Sequence, residues 1–173
     1  MKAVYLPGNR KVEIRSVPIP VPGPDEVLLQ VKASCICRSD LSLYYGNAVV
    51  GGDAAGGCIT GHEPAGVVIE AGIAVKNFKP GDRVAVYLAV GCGVCARCRQ
   101  GNFHLCAQWK CLGFTQDGGN AEYLAVPERN LLRIPDSMSF VAAAISTDAF
   151  GTLYSACRKL GLSGATTVGI WGL

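Results

Sequence analysis

The chain has 173 residues, half of them hydrophobic and only 17% charged, enough apolar material to build a core and too little charge for a disordered tail. Its net charge of +3 comes from scattered basic residues with no Lys/Arg run longer than two, which argues against a nucleic-acid surface of clustered cations and aromatics. No stretch approaches the roughly 18 apolar residues of a membrane span, and the segment after Met1-Lys2 lacks the apolar run of a secretory signal.

Residues 2–6 and 11–15 predict short strands on either side of a Pro7-Gly8-Asn9 turn. Prolines recur through 17–26 and exclude a helix there. Val27, Leu29, Val31 and Ala33 fall on one face, with Gln30 and Lys32 on the other, so this segment predicts a half-buried strand. Further strands are expected at 65–71, 82–89 and 121–126, with a turn at Lys79-Pro80-Gly81-Asp82. The chain is thus mainly β to about residue 135. The alanine-rich stretch 137–146 predicts a helix, and 150–160 predicts a second one closed by Gly161. The apolar run 166–171 predicts a buried strand of a parallel sheet. A helix, a buried strand and then Gly172 is how a βαβ unit opens, so the expected division is 1–147 and 148–173.

Four of the nine cysteines crowd into Cys92, Cys95, Cys98 and Cys106, at spacing C-x2-C-x2-C-x7-C. Four thiolates close a tetrahedral shell around zinc at about 2.3 Å and leave no corner for a substrate, so such a site is structural. Crowding of this kind points to metal ligation in a reducing, cytoplasmic compartment and not to a disulfide framework. Unliganded thiols and an iron–sulfur cluster are the other readings, although the x7 gap and the missing Cys-Pro depart from a ferredoxin run.

A second constellation is spread along the chain. Cys37, His62 and Asp148 supply a thiolate, an imidazole and a carboxylate, and three protein ligands with a fourth position open are what a catalytic zinc requires. On residue type alone, Cys37 and His62 could simply be packed, and Asp148 could be a helix N-cap. Cys35, Cys58, Cys111 and Cys157 show no ligand spacing and are expected to pack in the interior. Trp109 and Phe114 are expected at the base of the four-cysteine lobe, and His104 on its exposed surface. Tyr44 and Tyr45 could line a pocket or merely pack.

Cys37-Arg38-Ser39-Asp40, Gly61-His62-Glu63-Pro64-Ala65-Gly66, the four-cysteine lobe and Asp117-Gly118-Gly119-Asn120-Ala121-Glu122-Tyr123 resemble, in order and spacing, the zinc-containing medium-chain alcohol dehydrogenases. The resemblance covers essentially the whole chain. It implies a GroES-like β-barrel with a four-cysteine zinc lobe, ending in helices and the first strand of a truncated Rossmann domain. It also implies two zinc ions. The catalytic one is held by Cys37 and His62, and the structural one by Cys92, Cys95, Cys98 and Cys106. Asp148 stands where many members carry a third cysteine ligand, and a carboxylate is a sound substitute because zinc accepts oxygen at about 2.0–2.2 Å. By the same resemblance Glu63 lies close to the metal or ligates it, Ser39 starts a proton relay, and Asp40 holds His62. Arg38 would reach toward cofactor phosphate. Gly172 is the first glycine of a dinucleotide turn that needs further glycines and a helix N-terminus to bind phosphate.

The implied activity is oxidation of an alcohol to an aldehyde or ketone, with hydride passing to NAD or NADP in a full-length and homo-oligomeric enzyme. The residues through Leu173 alone are expected to be inactive. A polyol or sugar dehydrogenase on the same scaffold and a non-enzymatic zinc-stabilised binding module are the competing readings.

Overall fold

The computed structural model describes residues 1–47 and 57–171. Gly172 therefore lies outside the described residues.

Strands β1 (Lys2–Tyr5) and β2 (Glu13–Ser16) form an antiparallel hairpin. The central strand is β3 (Glu26–Cys35), followed by a short helix α1 (Asp40–Tyr45). Then come β4 (Glu63–Ala71), β5 (Arg83–Val86) and β6 (Ala89–Val90). A single helical turn, α2 (Ala96–Arg99), lies between β6 and β7 (Lys110–Cys111). Strands β8 (Tyr123–Pro127) and β9 (Leu131–Arg133) precede helices α3 (Phe140–Ile145) and α4 (Gly151–Lys159). Five strands form one antiparallel sheet in the order β8-β3-β4-β5-β9. Every strand expected between residues 2 and 126 is present, with shifted ends; the 82–89 run divides into β5 and β6.

The sheet has two covered faces. On one, Val27, Leu29, Val68, Val84, Val86, Leu124 and Val126 form a branched aliphatic core, as expected for β-branched and leucine side chains on a pleated surface. Leu28 is buried too, against the simple alternation. The β3–β4 register slips between Leu28 and Leu29 and again between Val31 and Ala33, and such irregularities bend a strand and re-aim its side chains.

The other face is covered by α3. Ala65 and Ala85 of the sheet meet Ala143 and Ala144 of the helix. Small side chains on both sides bring the helix close to the strands. Its start is set by Ser139, whose hydroxyl accepts a hydrogen bond from the Ala142 N–H at 3.1 Å. Because α3 fixes the position of everything after it, Ala144→Leu is expected to cost about 1–3 kcal/mol by overpacking. Thermal unfolding checks this, and an unchanged midpoint would show that the contact tolerates bulk.

A π-helical turn, Ser146–Phe150, joins α3 to α4. Ser146 donates its hydroxyl to the Ala142 carbonyl at 2.6 Å, and Thr147 donates to Ala144 at 3.0 Å. Hydroxyls that bond back to the preceding turn bend a helix, and π-turns occur often at functional positions.

Residues 166–171 differ from expectation. They form no strand and are exposed. A strand exists by its ladder, and no strand lies beside this run among the described residues. Cys157 also departs from the expected burial, because α4 buries none of its residues. Cys111 is buried, while Cys35 and Cys58 are half-buried.

Candidate metal centre

The lobe is a loop closed at its base by the β6–β7 pair, Ala89 with Cys111 and Val90 with Lys110. Two side chains outside it hold that base. Asn130, fully buried, donates to the carbonyls of Tyr87 and Ala89 at 2.8 and 2.9 Å. Arg129 donates to the Gly91 carbonyl and pairs with Asp25 at 2.7 Å. Within the loop the sulfurs of Cys92, Cys95, Cys98 and Cys106 lie within 4.8 Å of one another. Main-chain N–H groups already point at them: Cys98 donates to the Cys95 sulfur at 3.5 Å, and Cys92 and Gln108 donate to the Cys106 sulfur at 3.4 Å. Such donors favour thiolates. Backbone N–H groups of Val94 and Cys95 pull the Cys92 thiol down to about 6, whereas burial pushes Cys98 up to about 12. The Cys98 N–H likewise lowers the Cys95 thiol, so thiolates are favoured at Cys92 and Cys95, while four together require a cation between them.

The second cluster assembles Cys37, His62, Glu63 and Asp148, whose ligand atoms also lie within 4.8 Å of one another. Cys37 ends the stretch after β3. His62 stands immediately before β4, Glu63 opens it, and Asp148 arrives on the π-turn. Asp148 Oδ2 is 3.4 Å and Glu63 Oε1 3.8 Å from His62 Nε2. Donors on a tetrahedral zinc with bonds of 2.0–2.3 Å stand about 3.3–3.8 Å apart, so this spacing fits a small divalent ion. His62 and Glu63 are almost wholly buried, and a buried charged cluster persists only when paired or metal-bound.

Asp40 braces the opposite side of the imidazole. Its Oδ2 accepts the Cys37 N–H at 2.8 Å, while Oδ1 stands 3.6 Å from His62 Nδ1. One carboxylate thus positions two of the four donors and turns Nε2 toward the others. Phe114 lies against the ring at 4.9 Å between centroids. It and Trp109 pack with Leu6, Leu43 and Cys111 beneath β7. Tyr44 joins that packing, and Tyr45 is half exposed beneath the Arg10 guanidinium.

Burial opposes charge on His62, but Asp148 and Asp40 outweigh it and raise the imidazole to about 10. A proton on Nε2 does for these carboxylates what a metal cation would do. Burial likewise raises the Glu63 carboxyl, and the hydrogen bond to His62 lowers that of Asp148.

Two further contacts complete the geometry. Ser39 Oγ lies 3.5 Å from His62 Nε2 and makes no cap bond to α1. Thr152 donates to Asp148 Oδ1 at 2.7 Å. Asp148 is therefore no N-cap: it accepts from a side chain four residues later. Thr152 was missed from sequence, although that i, i+4 spacing is a legible signal. Arg38 is exposed and joins no ion pair among the described residues. His104 is exposed as expected, yet it is not isolated, because its Nδ1 lies 3.3 Å from the Tyr87 hydroxyl.

The Asp117-Gly118-Gly119-Asn120 segment supports the site from behind. Gly118, Gly119 and Asn120 N–H groups donate to the carbonyls of Ile59, Gly61 and Thr60, and Asp117 accepts the Ile59 N–H. Gly61 has φ +93°, and a Cβ on Gly118 would stand 2.2 Å from the Gly61 carbonyl oxygen. Only glycine lets these two backbones touch and set His62 in place.

Residues 23–136 match the family model described as the alcohol dehydrogenase GroES-like domain. The chain belongs to that family. Among curated relatives of this GroES-like chain is the uncharacterized zinc-type alcohol dehydrogenase-like protein YphC of Escherichia coli (strain K12). It is 39% identical over 180 residues, covering 100% of this chain and 51% of the relative. The sorbitol dehydrogenase of Bacillus subtilis (strain 168) is 36% identical over 175 residues, covering 100% and 49%. A crystal structure of an NAD-dependent alcohol dehydrogenase superposes with a TM-score of 0.84 at 33% identity, over 95% of this chain and 49% of that one. The chain spans about half the length of the curated relatives it matches.

Proposed function

We propose that this GroES-like chain is the metal-holding, substrate-side part of a zinc-dependent dehydrogenase that oxidises an alcohol to an aldehyde or ketone with NAD or NADP. The observation that carries the reading is the convergence of Cys37, His62, Glu63 and Asp148 beside a separate four-sulfur cluster. One centre is sealed and the other is not.

Cys37, His62 and Asp148 would hold the catalytic zinc, with Glu63 as the alternative carboxylate. Cys92, Cys95, Cys98 and Cys106 would hold the structural one. When bound in the open centre, zinc supplies Lewis acidity that makes an alcohol proton easier to remove. The chain's own groups do the rest. Asp40 keeps Nδ1 of His62 turned away from the donor side. Ser39 Oγ receives the substrate's hydroxyl proton as it gives up its own toward solvent. Phe114, packed against the ring, keeps water from one face of the imidazole. Hydride acceptance belongs to a nicotinamide bound by a dinucleotide domain that begins within the helical run after α3. Arg38 and Gly172 are its candidate contacts from this chain.

We place the division between the two parts at residue 147/148, within the helical run that joins α3 to α4. No helix among the described residues is long and apolar enough to cross a membrane. A cytoplasmic location and a homo-oligomeric enzyme complete the reading.

The test uses the whole gene product, loaded with zinc and offered alcohols with NAD and then NADP. Reduced nicotinamide is expected to accumulate, and Ser39→Ala is expected to lower kcat at least about 100-fold, the range of a lost proton-transfer group. Parent turnover in that variant would remove Ser39 from the relay. Two bound zincs with no reduction of either cofactor would favour the binding-module reading.

A further inference from the structure

A cavity of about 250 Å³ lies outside both donor clusters, and none of its lining residues belongs to either. Its apolar walls are Val17, Pro18, Pro20, Ile59 and Ala125. They come from the proline-rich run after β2, from β8 and from the residues just before His62. Tyr5 of β1, Tyr123 of β8 and Asp117 add three polar side chains. The cavity adjoins the strip that supports His62 from behind, because Asp117 accepts the Ile59 N–H and Gly118 donates to the Ile59 carbonyl.

Asp117 is the one charged side chain in this lining. Its Oδ1 takes the Ile59 N–H at 2.9 Å, and Oδ2 has no hydrogen-bond partner among the described residues. The cations of the neighbouring hairpin are engaged elsewhere. Arg15 pairs with Glu13 at 2.6 Å, and the Met1 ammonium donates to the Val17 carbonyl at 2.7 Å. The carboxylate therefore faces the cavity without a counter-ion among the described residues. Tyr5 is only 9% exposed, yet its hydroxyl makes no hydrogen bond among the described residues. Burial raises the Tyr5 phenol and the Asp117 charge raises it further, so the hydroxyl stays neutral. A buried hydroxyl left without a partner costs free energy that a bonded ligand would recover.

We propose that this cavity is a binding site for an organic primary amine in its ammonium form, with Asp117 and Tyr5 as the groups that recognise it. An ammonium carries three donors and no acceptor, which answers a free carboxylate oxygen and a phenol oxygen together. An apolar body attached to it would lie against the prolines and branched side chains and leave water. An anion would meet Asp117 with like charge, and an uncharged ligand would forgo the stronger, charge-assisted bond. The site requires neither metal nor nicotinamide, so it stands apart from the dehydrogenase reading.

The experiment titrates 2-phenylethylamine and its uncharged analogue 2-phenylacetamide into the zinc-loaded whole gene product by calorimetry at neutral pH. The amine is expected to bind at least about tenfold more tightly than the amide, the worth of a hydrogen bond to a charged group. Asp117→Asn keeps an acceptor for the Ile59 N–H but removes the charge, and amine affinity should fall at least about tenfold. Tyr5→Phe should lower it about threefold, the worth of a neutral hydrogen bond. Ala125→Leu narrows the cavity without altering its charge and should abolish saturable binding. Cys37→Ala should bind the amine as the parent does, although the open centre loses its zinc. Amine binding that vanishes in Cys37→Ala would put the ligand on the metal and overturn the proposal. So would equal affinity for amine and amide, no amine binding by the parent, or an affinity indifferent to Asp117→Asn and Ala125→Leu. If Asp117→Asn does not fold, Tyr5→Phe and Ala125→Leu decide by the same criteria. Amine binding with these dependences in a protein that reduces neither NAD nor NADP upholds the site while the dehydrogenase reading fails.

Discussion

Cys98→Ser is expected to remove one zinc from the protein and to unfold the lobe between residues 91 and 111 while the five-stranded sheet survives. The reason is that no residue between Cys92 and Cys106 belongs to an apolar core cluster. Its secondary structure is one helical turn, one 3-10 turn and the two-residue strands β6 and β7. Val94 and Leu105 are exposed, whereas Cys98 and Cys106 are buried. The sulfurs occupy the place that leucines would take in a larger unit, so the metal is what the loop folds around. Structural zinc binding is worth an apparent ~10–16 kcal/mol in small metal-dependent domains, and that binding energy is folding energy. Elemental analysis should fall from about two zincs per chain to about one. Limited proteolysis should then cut between Cys92 and Cys106 and leave the sheet intact, because Arg129 and Asn130 anchor the base from outside. A variant that kept both metals and resisted the protease would show that three sulfurs suffice.

Cys37→Ala should have the opposite profile. It removes a donor from the open centre without touching the lobe, so one zinc is again lost but stability changes little. Activity of the whole gene product should fall about 1,000-fold or more, since the Lewis acid accounts for several kcal/mol and each 1.36 kcal/mol is tenfold in rate. Asp40→Asn should fall between, at about 10–100-fold in metal affinity or activity, as for groups that orient a metal ligand. Its buried carboxylate both accepts the Cys37 N–H and faces His62, and an amide keeps the shape but loses the charge. Parent-level zinc content and rate in Cys37→Ala would remove the sulfur from the centre.

Much of this was legible in the residues because the signals were local. The two-residue gaps of the lobe need only a turn to bring sulfurs together, and the alternation of β3 needs only a pleat. Asp148 was harder. It stands 111 positions after Cys37 (148 − 37), and what closes that distance is the packing of Ala143 and Ala144 on Ala65 and Ala85. Alanines carry almost no pattern, so periodicity gives no warning of that contact. The π-turn was invisible for a similar reason: Ser146 closes the expected helix 137–146 and Thr147 falls between the two expected helices, and neither residue type announces a hydroxyl that bonds backward. The 166–171 run shows the converse. Its β-branched residues announce a strand, but pairing depends on neighbours that local composition does not report. Tyr87 lies before the lobe and His104 within it, 17 positions apart, and only the folding of the lobe makes them a pair.

The joint at Ser146–Phe150 has a mechanical meaning. Its upstream arm is pressed against the sheet through alanines, and its downstream arm, α4, has no buried residue. Asp148 sits on the pivot. A displacement of α4 relative to the sheet would move that one carboxylate, while Cys37, His62 and Glu63 stay rooted beside β3 and β4. If the cluster holds a metal as proposed, its donor set would be three jaws on the β framework and one on the helical joint.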